Sequence, residues 1–188
     1  MNEDIRLTDG FVLLRPYRPE DVYQLHKAVL ESMAELSPYL DFAHDGYNLD
    51  QSKQWIADCP DNWKKGIAYN FAITDAGTGR YLGGCGLNDF DTGKRMANLG
   101  YWVRTIMTGH GVATASTLLL AKFGIDELKL KRIRLTIAVP NRASQRVAEK
   151  AGATREGQMR NGMFVRDIMY DCVVYSFIPG DFSRKEAH

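Results

Sequence analysis

The chain has 188 residues, 45% hydrophobic and 25% charged, a balance that predicts one compact domain over 1–188 with a sizeable core. Lysine and arginine number 24 against 23 aspartates and glutamates, so a net charge of +1 speaks against a general nucleic-acid binder. Three scattered cysteines (Cys59, Cys85, Cys172), with no Cys-x-x-Cys pair or His/Cys cluster, predict reduced thiols and no metal site.

The opening Met1 to Arg6 lacks the basic head and apolar stretch of a secretion signal, which predicts a cytoplasmic protein. Phe11–Arg15 reads as a first strand ended by Pro16. Arg18-Pro19-Glu20-Asp21 opens a helix whose apolar face is Val22, Leu25, Val29, Leu30 and Met33, ending at Ser37-Pro38-Tyr39. A loop from Leu40 to Asn48 precedes a second helix, from about Asp50 through Trp63. Strands follow at Ala68–Thr74, Tyr81–Phe90 and Asn98–Val103. Leu118–Leu130 is helical, Arg132–Val139 a strand, and Arg142–Ala151 a helix capped by Gly152; strands near Thr154–Arg160 and Asp167–Phe177 follow. Strand, two helices, three strands, helix, strand, helix and two strands make an α+β (mixed α/β) domain with a partly antiparallel sheet. That order is not the strand–helix alternation of a dinucleotide fold. The longest apolar-rich run, Val112 to Phe123, is interrupted by polar residues and too short to cross a bilayer, so no membrane partner is expected.

Gly109-His110-Gly111-Val112-Ala113-Thr114 is the most informative stretch. A strand runs into a glycine turn and a helix starts at once, with small residues in its opening turns. Helix starts carry unpaired N–H groups and partial positive charge, and glycines let backbone approach an anion closely. A turn that merely needs positive φ gives the same pattern. A P-loop is excluded by the missing Gly-Lys-Ser/Thr, and Gly83-Gly84-Cys85-Gly86 lies inside a strand, where it marks a bulge or close backbone approach. About thirty residues on comes Asn141-x-x-Ser144 followed by Glu149-Lys150-x-Gly152.

Together, Gly100-Tyr101-Trp102, the Gly109-x-Gly111-x-Ala113 turn and this second segment resemble the GNAT superfamily of N-acetyltransferases, closest to its Rim-type branch, which acetylates ribosomal-protein N-termini. The resemblance implies a GNAT-like fold, its mixed sheet splayed between two parallel strands and flanked by about four helices. Acetyl-CoA would lie in the opening as co-substrate, its pyrophosphate on the N–H groups of Gly109, His110, Gly111, Val112, Ala113 and Thr114. Backbone at Trp102, Val103 and Arg104 would hold the pantetheine arm and acetyl carbonyl. Asn141 would bond the pantetheine, although asparagine is equally a plain helix cap. Thr108 and His110 stand where the superfamily pattern carries more basic or amidic side chains.

The resemblance also implies the chemistry. Many members protonate the leaving thiolate with a tyrosine four residues after the serine position. Here that residue is Ala148, so Ser144 is the candidate acid. Asn98 replaces a glutamate common in Rim-type relatives before Gly-Tyr-Trp; Asp89, Asp91 or His44 are candidate substitutes for the base. The acceptor pocket is expected near the loop holding Tyr39, Asp41, Phe42, His44, Asp45 and Tyr47, so Tyr39, His44 and Asp89 are candidate acceptor contacts. Freeing an α-amine of proton at pH 7 costs only about 1.4 kcal/mol, against about 4.6 for a lysine side chain, so a site without a strong base favours a peptide N-terminus. A small-molecule amine acceptor and a non-catalytic acyl-CoA sensor are the alternatives. Trp55 and Trp63 are assigned to the core or a dimer surface, and both monomer and homodimer remain open.

Overall fold

The computed structural model describes residues 5–183. One eight-stranded sheet organises the chain: β1 (Leu7–Thr8), β2 (Val12–Pro16), β3 (Tyr69–Asp75), β4 (Tyr81–Asp91), β5 (Met96–Val103), β6 (Arg132–Ala138), β7 (Thr154–Val165) and β8 (Ile168–Phe177), in the order β1-β2-β3-β4-β5-β6-β8-β7. Every neighbouring pair is antiparallel except β5 and β6. Six helices accompany it: α1 (Val22–Glu31), α2 (Met33–Leu36), α3 (Leu49–Lys65), α4 (Val112–Asp126), α5 (Arg142–Ala151) and α6 (Gly180–Ser183). Among the described residues no helix is long and apolar enough to cross a membrane.

The mixed α+β architecture expected from the sequence is present, and four of the helices are substantial. Besides α4, which spans Val112–Asp126 and not Leu118–Leu130, three boundaries differ. The first long helix breaks at Ser32, whose φ of −112° and ψ of 11° leave the helical region, and restarts as the single turn α2. β7 runs on to Val165, past a register shift between Met159 and Met163, and turns tightly into β8. The third boundary is the short β1, an addition beside β2.

Strand alternation sorts the side chains to two faces. On one, Phe71, Leu87, Leu99, Ile133, Leu135, Val173 and Tyr175 pack with Leu120, Phe123, Ala148 and Ala151 of α4 and α5. On the other, Ala72 and Tyr81 pack with Val22, Leu25 and Val29 of α1 and Ile56 of α3. Gly84 and Gly86 belong to this second face. A Cβ on Gly84 would lie 2.4 Å from the Tyr17 hydroxyl, and one on Gly86 would lie 2.4 Å from Asn70 Oδ1. The glycine-rich strand is therefore the close approach its position suggested.

The functional feature of the sheet is where pairing stops. β5 and β6 are in register only at Met96↔Arg132, Ala97↔Ile133 and Asn98↔Arg134. Beyond that, Leu99–Val103 stays paired with β4 and Leu135–Ala138 stays paired with β8, so the two parallel strands diverge with no ladder between them.

Candidate active site

The divergence of β5 and β6 opens a cleft of about 850 Å3 that passes from α4 and α5 through the sheet to α2. Its upper β5 wall offers free backbone. Arg104 N–H donates to Leu82 O (2.9 Å), and a Cβ on Gly83 would meet Trp102 O, so Trp102 and Arg104 turn their peptide groups toward β4. Alternation along an antiparallel strand then turns those of Tyr101 and Val103 the other way, into the cleft. Of the three predicted backbone contacts, only Val103 has that orientation.

At the next turn the chain makes an open amide cradle. Gly109 and Gly111 both sit at φ +83°, in the left-handed region glycine adopts freely. α3 and α5 begin with asparagine caps: Asn48 Oδ1 accepts from Asp50 and Gln51 N–H, and Asn141 Oδ1 accepts from Ser144 N–H at 3.0 Å. α4 begins instead at Gly111, with no side-chain cap. The first intrahelical bond there is Ala115 N–H to Gly111 O (3.0 Å), which leaves the amides of Val112, Ala113 and Thr114 without a helical acceptor. Thr108, Gly109, Gly111, Val112, Ala113 and Thr114 all line the cleft. His110 does not; its ring Nδ1 lies 3.1 Å from Thr108 O, on the exposed side of the turn.

Among the described residues three charged side chains line the cleft, and two of them, Arg146 and Lys150, lie one turn apart on α5, the helix beside α4. The third is Glu35 on α2. Its Oε2 accepts from the Thr105 hydroxyl at 2.8 Å, while buried Ser32 Oγ accepts from Thr105 N–H at 3.0 Å and Glu31 pairs with Arg104. These bonds strap α1 and α2 to the loop that enters the glycine turn. The break at Ser32 aims Glu35 at the cleft. Among the described residues, the cleft thus takes its two cations from α5 and its one carboxylate from α2.

Between these ends, Ser144 and Asn141 line the cleft at the start of α5. Tyr101 joins them: its hydroxyl lies 2.7 Å from Ser144 Oγ and donates to Ser144 O at 3.2 Å. Burial pushes the Tyr101 phenol up to about 12, with the Ser144 bond acting in the opposite direction. On the α2 side, Asn98 Nδ2 donates to Asn88 Oδ1 at 3.1 Å, and both amides line the cleft with Tyr39, Trp102 and Met163. A Cβ on Gly100 would meet nothing within 4 Å, so the floor there is open.

Several sequence candidates stand elsewhere. Asp89, at φ +50° on the irregular end of β4, pairs with Arg134 and does not line the cleft. Asp91 accepts from Lys94 N–H in the β4–β5 turn. His44 is occupied within its own loop, Nδ1 accepting from Gly46 N–H at 3.1 Å; Asp41 accepts from Arg166 N–H at 2.9 Å, closing that loop onto the β7–β8 turn. Arg104 has its guanidinium on Glu31 and Tyr81 O, not in the cleft. Trp63 is core, donating to Asn70 O, while Trp55 is 46% exposed.

Glu35, Asn88, Tyr101, Arg146 and Lys150 escaped the sequence reading. Alternation with Trp102 was a usable signal for Tyr101. Ala143, Arg146, Val147 and Lys150 form a helical stripe opposite the buried Gln145, Ala148 and Ala151. Glu35 carried no such signal, because it depends on the break at Ser32.

Comparison with known proteins agrees with this geometry. A family model described as "Acetyltransferase (GNAT) domain" matches residues 12–154. A Bacillus subtilis (strain 168) protein named "Putative ribosomal N-acetyltransferase YdaF" is 30% identical over 178 residues, which is 93% of this chain and 95% of its own length. Among solved structures, the ribosomal L7/L12 alpha-N-protein acetyltransferase RimL in complex with coenzyme A superposes with a TM-score of 0.84 at 22% identity, covering 93% of this chain and 98% of its own. Mycobacterium smegmatis RimJ, with a CoA-disulfide, gives 0.82 at 21% identity, covering 94% and 86%. These two structures establish likeness of fold.

Proposed function

The chain belongs to the GNAT acetyltransferase family, and from that premise we propose that it moves an acetyl group from acetyl-CoA to the α-amine of a protein or peptide by direct attack within a ternary complex. Its activity class is N-acetyltransferase. The observation that carries the donor half is the unpaired β5–β6 opening, which leads to uncapped amides on α4 in a cleft that Arg146 and Lys150 of α5 also line.

Acetyl-CoA supplies an activated thioester on a long arm that ends in phosphates. This chain fits it at each station. The amides of Val112, Ala113 and Thr114 and the positive end of α4 suit a diphosphate, and the two α5 cations suit further phosphate charge. The backbone of Val103 suits the amides of the arm, as a strand edge would. Asn141 gives Oδ1 to its helix and keeps Nδ2 for the arm, so cap and ligand roles coexist. Ser144, which lines the cleft, serves in this reading as the acid for the departing sulfur. A thiol has pKa about 8.5, so protonation at pH 7 gains roughly 2 kcal/mol.

The acceptor half rests on what lines the α2 side. Asn98 and Asn88 can accept a hydrogen bond from an amine but cannot take its proton. Glu35 attracts a cationic amine and holds it at the cleft. Among the described residues Glu35 is the one carboxylate that lines the cleft, and such a site suits an amine that sheds its proton readily. An α-amine, with pKa about 7.7–8.0, does so; a lysine side chain near 10.4 does not. The name of the Bacillus subtilis relative, a ribosomal N-acetyltransferase, points to the same acceptor class. The test is thiol release from acetyl-CoA with amidated tripeptides, N-acetyl-lysine amide and polyamines. The tripeptides should turn over fastest, with a rate that rises from pH 6.5 and levels above about pH 8 as the amine loses its proton. Faster turnover of the lysine side chain or of polyamines contradicts the reading.

A further inference from the structure

The phenol that many family members place on the last helix is missing here: its position is Ala148, fully buried against the core. A phenol nevertheless reaches the same helix turn from the sheet. Tyr101 points from β5 toward α5, and its hydroxyl contacts Ser144 twice, at Oγ (2.7 Å) and at the carbonyl (3.2 Å). Ser144 is held by a third bond, from its amide to Asn141 Oδ1. Two hydrogen arrangements satisfy the pair. In one, Ser144 donates to the Tyr101 oxygen and Tyr101 to the Ser144 carbonyl, so the serine hydrogen faces away from the cleft. In the other, Tyr101 donates to Ser144 Oγ and the serine hydrogen is free. Only the second leaves a proton for a leaving group, and an electron-rich sulfur in the cleft favours it.

We propose that Tyr101 is the positioning residue of proton delivery, donating to Ser144 Oγ so that the serine hydrogen faces the departing sulfur. This rests on the acetyl-transfer reading above. In the step, the acceptor nitrogen bonds to the acetyl carbon. The carbon–sulfur bond breaks, and its electron pair stays on sulfur. Ser144 gives its proton to that sulfur while Tyr101 keeps its own and donates its hydrogen bond to the serine oxygen. The serine oxygen regains a proton, through water in the cleft, from the acylated nitrogen, which carries one too many. The net product is an amide and a free thiol. Tyr101 is never in contact with the reacting atoms; it acts through Ser144.

The experiment is a double-mutant cycle with Tyr101→Phe, Ser144→Ala and the double variant, using acetyl-CoA and an amidated seryl tripeptide. Tyr101→Phe should lower kcat about tenfold with the KM for acetyl-CoA within twofold, and in the Ser144→Ala background it should change nothing further. Multiplicative losses, or an unchanged kcat in Tyr101→Phe, overturn the proposal. A readout free of turnover accompanies it. The Tyr101 Cζ resonance in 13C-tyrosine spectra, assigned by its disappearance in Tyr101→Phe, should move in Ser144→Ala; a stationary resonance overturns the contact itself. Failure of the underlying reading looks different: the wild-type chain then releases no thiol with any peptide, and the proposal falls with it.

Discussion

Gly111 and Glu35 are the residues on which the two halves of the account turn. Gly111 holds φ +83°, and a Cβ there would meet only Phe11, at 4.0 Å, so space tolerates a side chain but backbone geometry does not. A β-branched residue there must adopt a conformation that costs of order 1–3 kcal/mol or else re-form the turn. Gly111→Val should therefore raise the dissociation constant of CoA at least tenfold by calorimetry and leave the far-UV spectrum of the fold in place. Glu35→Gln keeps the side-chain shape and its bond with Thr105 while removing the charge. It should raise the KM for an amidated peptide several-fold with the KM for acetyl-CoA unchanged, and the difference should shrink at high salt. At this scale the sequence was informative where a residue type is demanded by backbone or by motif: Gly109, Gly111, Asn141 and Ser144 all line the cleft. It was less informative for residues chosen by chemical type: Tyr39 lines the cleft, whereas Asp89 and His44 do not. Asp89 and His44 are attractive chemistry, but Arg134, forty-five positions on, pairs with the first, and Gly46 N–H within the loop occupies the second.

At the scale of elements, α3, α5 and the central strands were legible because periodicity and caps agree, whereas the pattern at Leu118–Leu130 misses the bounds of α4, Val112–Asp126. Asn48 and Gly66 bracket α3, and Asn141 and Gly152 bracket α5; both glycines sit at positive φ. The contrast among the helix starts was harder to see. Two are capped by side chains, whereas the start of α4 is left bare, a difference that only backbone geometry reveals. Asn141→Ala tests the double duty of one such cap. It should destabilise the chain by about 1 kcal/mol, as cap removals do, and it should also lower kcat, because Ser144 N–H loses its anchor. A melting-temperature loss with untouched kcat would separate the cap from the chemistry. The break between α1 and α2 was not legible, because it is made by tertiary bonds: Ser32 is buried and its hydroxyl accepts from Thr105 N–H, from a loop seventy-three positions away.

The whole molecule exists to hold two strands apart. β5 is bound to β4 and β6 to β8, and each side is backed by the core under α4 and α5. Leu120, fully buried there and remote from the cleft lining, should cost about 2–5 kcal/mol as Leu120→Ala while turnover per folded molecule persists in the cold. Stability should also fall in acid. Arg132 holds the Glu156 carboxyl below its ordinary value of 4.5, so this pair stabilises the fold above that pH and the contribution is lost as pH falls through the lowered value. Arg132→Gln should flatten that acid limb in melting experiments, and an unchanged slope would show that other carboxylates govern it. The parallel splay itself was expected from family resemblance rather than from hydrophobic pattern, since divergence of two strands leaves no mark on their alternation. The most direct test of the account is a crystal structure with CoA bound. The diphosphate oxygens should lie within about 2.7–3.2 Å of the amide nitrogens between Gly111 and Thr114, with the thiol arm running between β5 and β6 toward Ser144. A diphosphate seated elsewhere, or a cleft left empty at saturating CoA, would contradict it.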